Sequence, residues 1–184
     1  MSTPPRPHDA PPPDADKEAW RQWALARRRA RDSRERDELR AALADRLLSW
    51  PHLPAGATVC SYLPLRTEPL PVAASDALVR QGHRVLVPVT RAGQPLGWAD
   101  HVVGRSVEAG VHGVPDPGPA LPPDEESAAL SGAFAVLVPA LLVDTGGVRL
   151  GRGGGHYDRS FATPPLVSIA HRIAVVFDDE VVDA

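Results

Sequence analysis

The sequence predicts an α/β fold, a three-layer sandwich whose mostly parallel central sheet is covered by helices and open at the C-terminal ends of its strands. Three observations predict it. Segments of strand length alternate with segments of helical composition, the order that builds βα units. The run Phe134 to Val143 is nearly continuous in apolar residues, as a central parallel strand buried on both faces requires. Two polar loops, Arg66-Thr67-Glu68 and the glycine-rich stretch 149–159, each follow a strand-like run, and open α/β sheets place ligands at the carboxyl ends of strands.

Met1 to Asp16 are dense in Pro, with Ser, Thr and Asp and no apolar periodicity, so they are expected to form a disordered, partly extended tail. Residues 17–184 are then expected to be a single α/β domain. From Lys17 to about Trp50 the composition turns to Ala, Leu, Arg and Glu without Gly or Pro, and Leu39, Leu43 and Leu47 recur at i, i+4. This spacing predicts one long amphipathic helix, or two broken near Asp32-Ser33, ended by Trp50-Pro51. Ala57 to Leu65, rich in Val, Cys, Tyr and Leu after Pro54-Ala55-Gly56, reads as the first strand. A helix over Val72 to Gln81 stops at Gly82. Arg84 to Val89 is a short strand, and Pro95 to Val103 its partner after the turn Arg91-Ala92-Gly93-Gln94. Gly110 to Pro123 reads as a Pro/Gly loop, and Asp124 to Leu130 as a short helix. After the strand Phe134 to Val143, Val167 to Phe177 supplies one more, bent at His171-Arg172. No internal repeat is evident.

A chain of 184 residues with 43% hydrophobic content suits one domain with an ordinary core. Its net charge of −3 and pI near 6.1 exclude a general polyanion binder, so basic chemistry must come from local clusters. Cys60 is the one cysteine, which excludes an internal disulfide and a Cys-based metal cage; it reads as a small buried strand residue in a reducing cytosol. No stretch approaches the roughly 20 apolar residues that span a bilayer, and the N-terminus lacks the apolar core of a signal peptide, so a cytoplasmic location with no membrane partner is expected. Arg27, Arg28, Arg29, Arg31, Arg34 and Arg36 are interleaved with Asp32, Glu35, Asp37 and Glu38. Such a mixture indicates a solvated, ion-paired helix face. An RNA-binding arm is the alternative, disfavoured by the acids and the absence of aromatics past Trp23.

The chemistry concentrates in Arg149-Leu150-Gly151-Arg152-Gly153-Gly154-Gly155-His156-Tyr157-Asp158-Arg159. Small residues let backbone N–H groups close on an anion, and Arg149, Arg152 and Arg159 put guanidinium charge beside that cradle. The loop reads as a phosphate site, although glycine loops also serve as plain strand connections. It is neither a Walker A nor a dinucleotide fingerprint, because no Gly-Lys-Ser/Thr follows and the glycine spacing differs. Tyr157 offers an aromatic face, and Asp158 a carboxylate suited to Mg²⁺ on the same phosphates. His156 is placed either to donate to a phosphate or to face solvent. Lys17 and Arg21 stand at i, i+4 on one helix face, either solvated or flanking an anion. Glu68 lies in a loop past the first strand, either solvated or at a ligand. The remaining histidines show no metal-ligand spacing, and no Gly-x-Ser-x-Gly elbow exists.

Four pieces in this order resemble the 5-formyltetrahydrofolate cyclo-ligase family, also called 5,10-methenyltetrahydrofolate synthetase. They are Lys17-x-x-x-Arg21, Ser61-Tyr62-Leu63-Pro64-Leu65-Arg66-Thr67-Glu68, Val136-Leu137-Val138-Pro139-Ala140 and the glycine loop, which is the family signature. The resemblance implies an enzyme that converts 5-formyltetrahydrofolate, ATP and Mg²⁺ to 5,10-methenyltetrahydrofolate, ADP and phosphate. It implies that the formyl oxygen is phosphorylated, after which N10 attacks the activated carbon and phosphate leaves. By resemblance, Lys17, Arg21, Arg149, Leu150, Gly151, Arg152, Gly153, Gly154, Gly155, His156 and Tyr157 hold ATP. Arg152 and Lys17 carry the catalytic charge, and Asp158 binds Mg²⁺. Leu63 and Glu68 contact the folate, with Arg152 through His156 along its border. The expected partner is the small-molecule substrate, with no nucleic acid, and the expected state a monomer or weak homodimer. Two features depart from the family pattern. His156 stands where an aromatic residue is expected, and the chain reaches Ala184 before the family's Pro-x-x-x-His-Asp segment and last strand. The expected consequences are one carboxylate fewer for the metal and an exposed sheet edge. A non-catalytic folate or nucleotide binder is the competing expectation.

Overall fold

The computed structural model describes residues 10–105, 108–109 and 115–183. The part of the expected tail over 1–9 and the part of the expected loop over 110–114 lie outside the described residues, as does Ala184.

Where the sequence allowed one helix or two, there are two, α1 (Lys17–Ala30) and α2 (Ser33–Leu48). The cause is local. Asp32 Oδ1 accepts from the amides of Arg34 at 2.8 Å and Glu35 at 3.3 Å, so its side chain starts a new helix instead of continuing the old one. Asp16 caps α1 in the same way, accepting from Ala19 N at 2.8 Å. The chain then runs through β1 (Thr58–Cys60), α3 (Val72–Arg80), β2 (Arg84–Val89), β3 (Gly97–Asp100), β4 (Glu108–Ala109), β5 (Pro115–Asp116) and α4 (Pro123–Ser131). It continues with β6 (Ala133–Pro139), β7 (Leu142–Asp144), β8 (Arg149–Leu150), α5 (His156–Phe161), β9 (His171–Val175) and β10 (Val181–Val182).

The central sheet has the order β3-β2-β1-β6-β9. Every pairing in it is parallel except β2 with β3. Strand periodicity sends alternate residues to opposite faces. Val59, Val85 and Leu137 pack with Leu43 and Leu47 of α2 and Ala74 and Leu78 of α3. Cys60, Leu86, Val136 and Val138 pack with Ala129 and Leu130 of α4 and Tyr157 and Phe161 of α5. The helices therefore form the two outer layers of the expected sandwich. No helix among the described residues is long and apolar enough to cross a membrane.

Several boundaries differ from the sequence reading. The run Phe134 to Val143 is two strands in two sheets: β6 lies in the central sheet, and β7 in a small sheet of order β10-β7-β8. The chain changes sheets at Ala140, whose carbonyl accepts from Arg28 Nη2 at 2.6 Å, while the next amide, Leu141 N, donates to Leu150 O at 2.7 Å. The first strand contracts to Thr58–Cys60; after Ser61 N donates to Leu86 O at 2.7 Å, the backbone leaves the ladder. The last expected strand begins only at His171, because Leu166–Ser168 forms a 3₁₀ turn after Pro164-Pro165. Part of the expected Pro/Gly loop, Pro115–Asp116, pairs with Glu108–Ala109. Arg149-Leu150, expected in the loop, is the outer strand of the small sheet.

The arginine-rich helix also differs from expectation. Arg28 is 1% exposed and holds Glu180 in a bidentate pair, Nε to Oε1 at 2.6 Å and Nη2 to Oε2 at 2.7 Å. Arg27 and Arg31 both donate to Asp179, and the Arg31 guanidinium lies 4.0 Å from the Phe177 ring centre. These three arginines therefore face the Asp178–Glu180 turn rather than solvent. Arg34, paired with Glu38 at 2.9 Å on an exposed face, fits the original expectation. On the same side, Trp23 and Ala24 pack on Leu141 and Leu142, which seats α1 on the small sheet.

Candidate functional site

The glycine loop leaves β8 and runs into the first turn of α5, so the small sheet and α5 set its two ends. Gly153 and Gly155 adopt φ of +99° and +64°, backbone that residues with a Cβ rarely occupy. At Gly155 a Cβ would also stand 2.8 Å from Arg159 Nη1. The arginines around the loop have distinct partners. Arg21, one turn into α1, donates from Nε to Gly151 O at 3.0 Å and lies against Gly153. Arg149 Nη2 meets Asp158 Oδ1 at 2.5 Å, and Arg159 donates to Gly154 O at 2.8 Å while approaching His156 Nδ1 at 3.3 Å. Arg152 turns the other way, placing Nε 3.4 Å from Glu68 Oε1.

That last contact joins residues 84 positions apart. Glu68 is 5% exposed, and its second oxygen accepts from Leu65 N at 2.9 Å. Leu63, earlier in the same loop, is buried as well. The hydroxyl of Tyr157 is enclosed without a hydrogen-bond partner among the described residues. Burial first, and then the charge of Glu68, pushes the phenols of Tyr157 and Tyr62 above their ordinary range, so both stay neutral donors at physiological pH. The structure thus brings Arg21, Gly151, Arg152 and Glu68 into one connected group and sets Arg149 with Asp158. Lys17 is exposed at the start of α1, with its ammonium in no hydrogen bond or ion pair among the described residues.

A cleft of about 420 Å³ lies beside Arg149 and Asp158, walled by Val138, Ala174, Phe161 and Arg172. The Arg172 guanidinium sits 4.8 Å from the Phe161 ring centre. The cleft combines apolar walls with two guanidinium groups, a surface suited to a phosphorylated ligand with a flat or apolar part. No cluster of three or more His, Cys, Asp or Glu that could hold a metal occurs among the described residues. Asp158, its side chain 76% exposed and one oxygen committed to Arg149, suits an ion carried mainly by phosphate oxygens and water, the usual habit of Mg²⁺.

Sequence reading missed Arg40. From α2 its Nε and Nη2 donate to Glu68 O at 2.9 and 2.7 Å, and Nη2 also to Arg66 O at 2.7 Å. Burial first, and then the neighbouring Arg36 charge, lowers its pKa, consistent with a guanidinium drawn out of water. Nothing in its surroundings in sequence marks it among the other arginines.

Fold and site define an α/β protein with an arginine-flanked glycine loop, whose Arg149 and Asp158 also line a cleft walled by Val138, Ala174 and Phe161. The chain matches the model of the 5-formyltetrahydrofolate cyclo-ligase family over residues 13–184 and belongs to that family. It is 43% identical over 134 residues to the 5-formyltetrahydrofolate cyclo-ligase of Mycolicibacterium smegmatis, covering 70% of this chain and 66% of that protein, just under two thirds of its length. The NMR structure of Aquifex aeolicus 5,10-methenyltetrahydrofolate synthetase superposes with a TM-score of 0.69 at 22% identity, covering 91% of this chain and 81% of that one. A Mycoplasma pneumoniae 5,10-methenyltetrahydrofolate synthetase gives 0.61 at 19% identity, with 82% and 80% covered. At these identities the two structures establish the shared fold.

Proposed function

We propose that the chain catalyses the ATP- and Mg²⁺-dependent closure of 5-formyltetrahydrofolate to 5,10-methenyltetrahydrofolate, with release of ADP and phosphate. Beyond family membership, the single observation that carries this reading is the contact between Arg152 and Glu68. Moving a phosphoryl group from ATP to the formyl oxygen requires a phosphate-binding cation and a pterin-binding acceptor side by side, and this pair supplies both. Glu68, buried, accepts from the pterin N–H groups, with Leu63 against the ring. Arg152 exchanges Glu68 for the transferring phosphate, where its guanidinium offsets the charge that accumulates in the transition state. The loop amides, Arg21, Arg149 and the exposed ammonium of Lys17 hold the remaining phosphates, with Leu150 and Tyr157 at the borders. Asp158 would hold Mg²⁺, which would supply further positive charge near the phosphates. Attack by N10 on the activated carbon then releases phosphate. This chemistry needs fixed positive charge and excluded water, and no protein nucleophile. The reading is of a cytoplasmic enzyme acting on small molecules as a monomer or weak homodimer, without nucleic-acid or membrane partners.

The test is the absorbance of the methenyl product when 5-formyltetrahydrofolate, ATP and Mg²⁺ are mixed with the chain, with ATP omitted as control. An ATP-dependent rise is expected. Arg152→Ala is expected to lower turnover by about 10²-fold or more, the effect of removing one transition-state donor. A second reading, a folate or nucleotide binder without turnover, draws on the engagement of Asp158 by Arg149 in place of a set of metal acids. It predicts ligand binding by calorimetry with no absorbance change.

A further inference from the structure

We infer that Arg40 is a positioning residue for the folate, acting through the main chain of the turn 65–68 on the direction in which Glu68 presents its carboxylate. The inference rests on Glu68 as the pterin acceptor. The guanidinium itself touches none of the residues proposed to hold phosphate. Its two nitrogens converge on the carbonyls of Arg66 and Glu68 through three contacts of 2.7 to 2.9 Å, and only the 3.6 Å approach of Nη1 to Asp37 resembles an ordinary surface ion pair. A planar fork that grips two carbonyls of one turn fixes the turn's orientation as well as its place. Within the turn, Glu68 N donates to Leu65 O at 2.9 Å, and Leu65 N donates back to Glu68 Oε2 at 2.9 Å.

The consequence is a division of labour between the two carboxylate oxygens. Oε2 is spent on the turn, the backbone behind it is spent on Arg40, and Oε1 is left aimed at Arg152. Glu68 cannot swing to search for its ligand, because its side chain is 7% exposed and tethered at both ends. Preorganisation of this kind lowers the ordering cost of binding, and displacement of a binding group by about 1 Å can cost 10²-fold. Arg40 is on a different helix from the phosphate-binding Arg21, so its loss should separate folate binding from ATP binding.

The experiment is steady-state kinetics on Arg40→Met and Arg40→Lys, with KM measured for 5-formyltetrahydrofolate and for ATP. For Arg40→Met, KM for the folate is expected to rise about 10-fold or more while KM for ATP stays within about twofold. Arg40→Lys, able to reach one carbonyl at a time, is expected to fall between Met and Arg. In a Glu68→Gln background, Arg40→Met should add little, because both act through one group. Equal changes in both KM values, an unchanged folate KM, or additive losses would overturn the inference and leave Arg40 a structural residue. If Glu68→Gln alone leaves the folate KM unchanged, the assignment of Glu68 has failed and the inference falls with it. A rise for Glu68→Gln without one for Arg40→Met overturns the role of Arg40 alone. If Arg40→Met does not fold, Arg40→Lys carries the same comparison, with calorimetric folate affinity as the second readout.

Discussion

Cys60 illustrates how strongly burial alone retunes a side chain. It is 0% exposed in the middle of the sheet, and desolvation pushes its thiol up to about 12. In the unfolded chain the thiol ionises near its ordinary value of about 8.5, so above that pH the unfolded state binds fewer protons than the folded one. Stability from this group is therefore complete below about pH 8.5 and declines until the folded thiol itself ionises near 12. The buried phenols of Tyr62 and Tyr157 act in the same direction at higher pH. Thermal melts are expected to show the melting temperature falling as pH rises above about 9, with a smaller fall over the first part of that range in Cys60→Ala. At this scale the sequence spoke unevenly. Arg21, Arg152 and Glu68 stand in recognisable motifs, and the structure connects them. Arg40 is one of many arginines in a helix, and its role comes from two carbonyls 26 and 28 residues away, which no local pattern encodes.

Helix α1 is held at both ends by arginines with different tasks. Near its start Arg21 reaches the glycine loop; near its end Arg28 ties Glu180 to the carbonyl of Ala140, where the chain crosses between sheets. A pair with side chains 1% and 4% exposed is held against a large desolvation cost, so removing one partner does more harm than removing both. Arg28→Met is expected to destabilise by about 3–5 kcal/mol. In Arg28→Met with Glu180→Leu most of that loss should return, short of the roughly 1–3 kcal/mol left by an unsatisfied Ala140 carbonyl. Denaturant midpoints of the single and double variants check both statements; a double variant no better than the single would show that the carbonyl, not the carboxylate, is the main partner. Helix boundaries were legible because their causes are local: Asp16 and Asp32 are caps, and Gly82 ends α3. Strand boundaries were not. The apolar run through Val143 carries no mark of the change of sheet, since Arg28 and Leu150, which divide it, arrive from distant parts of the chain.

Over the whole molecule, alternation of strand and helix segments was enough to foresee two helical layers on a mostly parallel sheet. It could not foresee the small second sheet, because β7, β8 and β10 are two or three residues long and pair across gaps that leave no periodic trace. That sheet nevertheless seats α1, with Trp23 and Ala24 packed against its Leu142 and Val182. Arg28 and Glu180 are separated by 152 residues. At roughly 5–20 residues per second of synthesis, α1 exists for about 8 to 30 s before its carboxylate partner is made. During that interval Arg27, Arg28 and Arg31 lack their carboxylate partners, so the nascent chain is expected to remain cleavable within α1 until residues 179 and 180 are free to dock. Pulse proteolysis of stalled chains of increasing length would detect the change. Residues of α1 thus become protected long after they are translated, because their carboxylate partners lie 148 to 152 residues further along the chain.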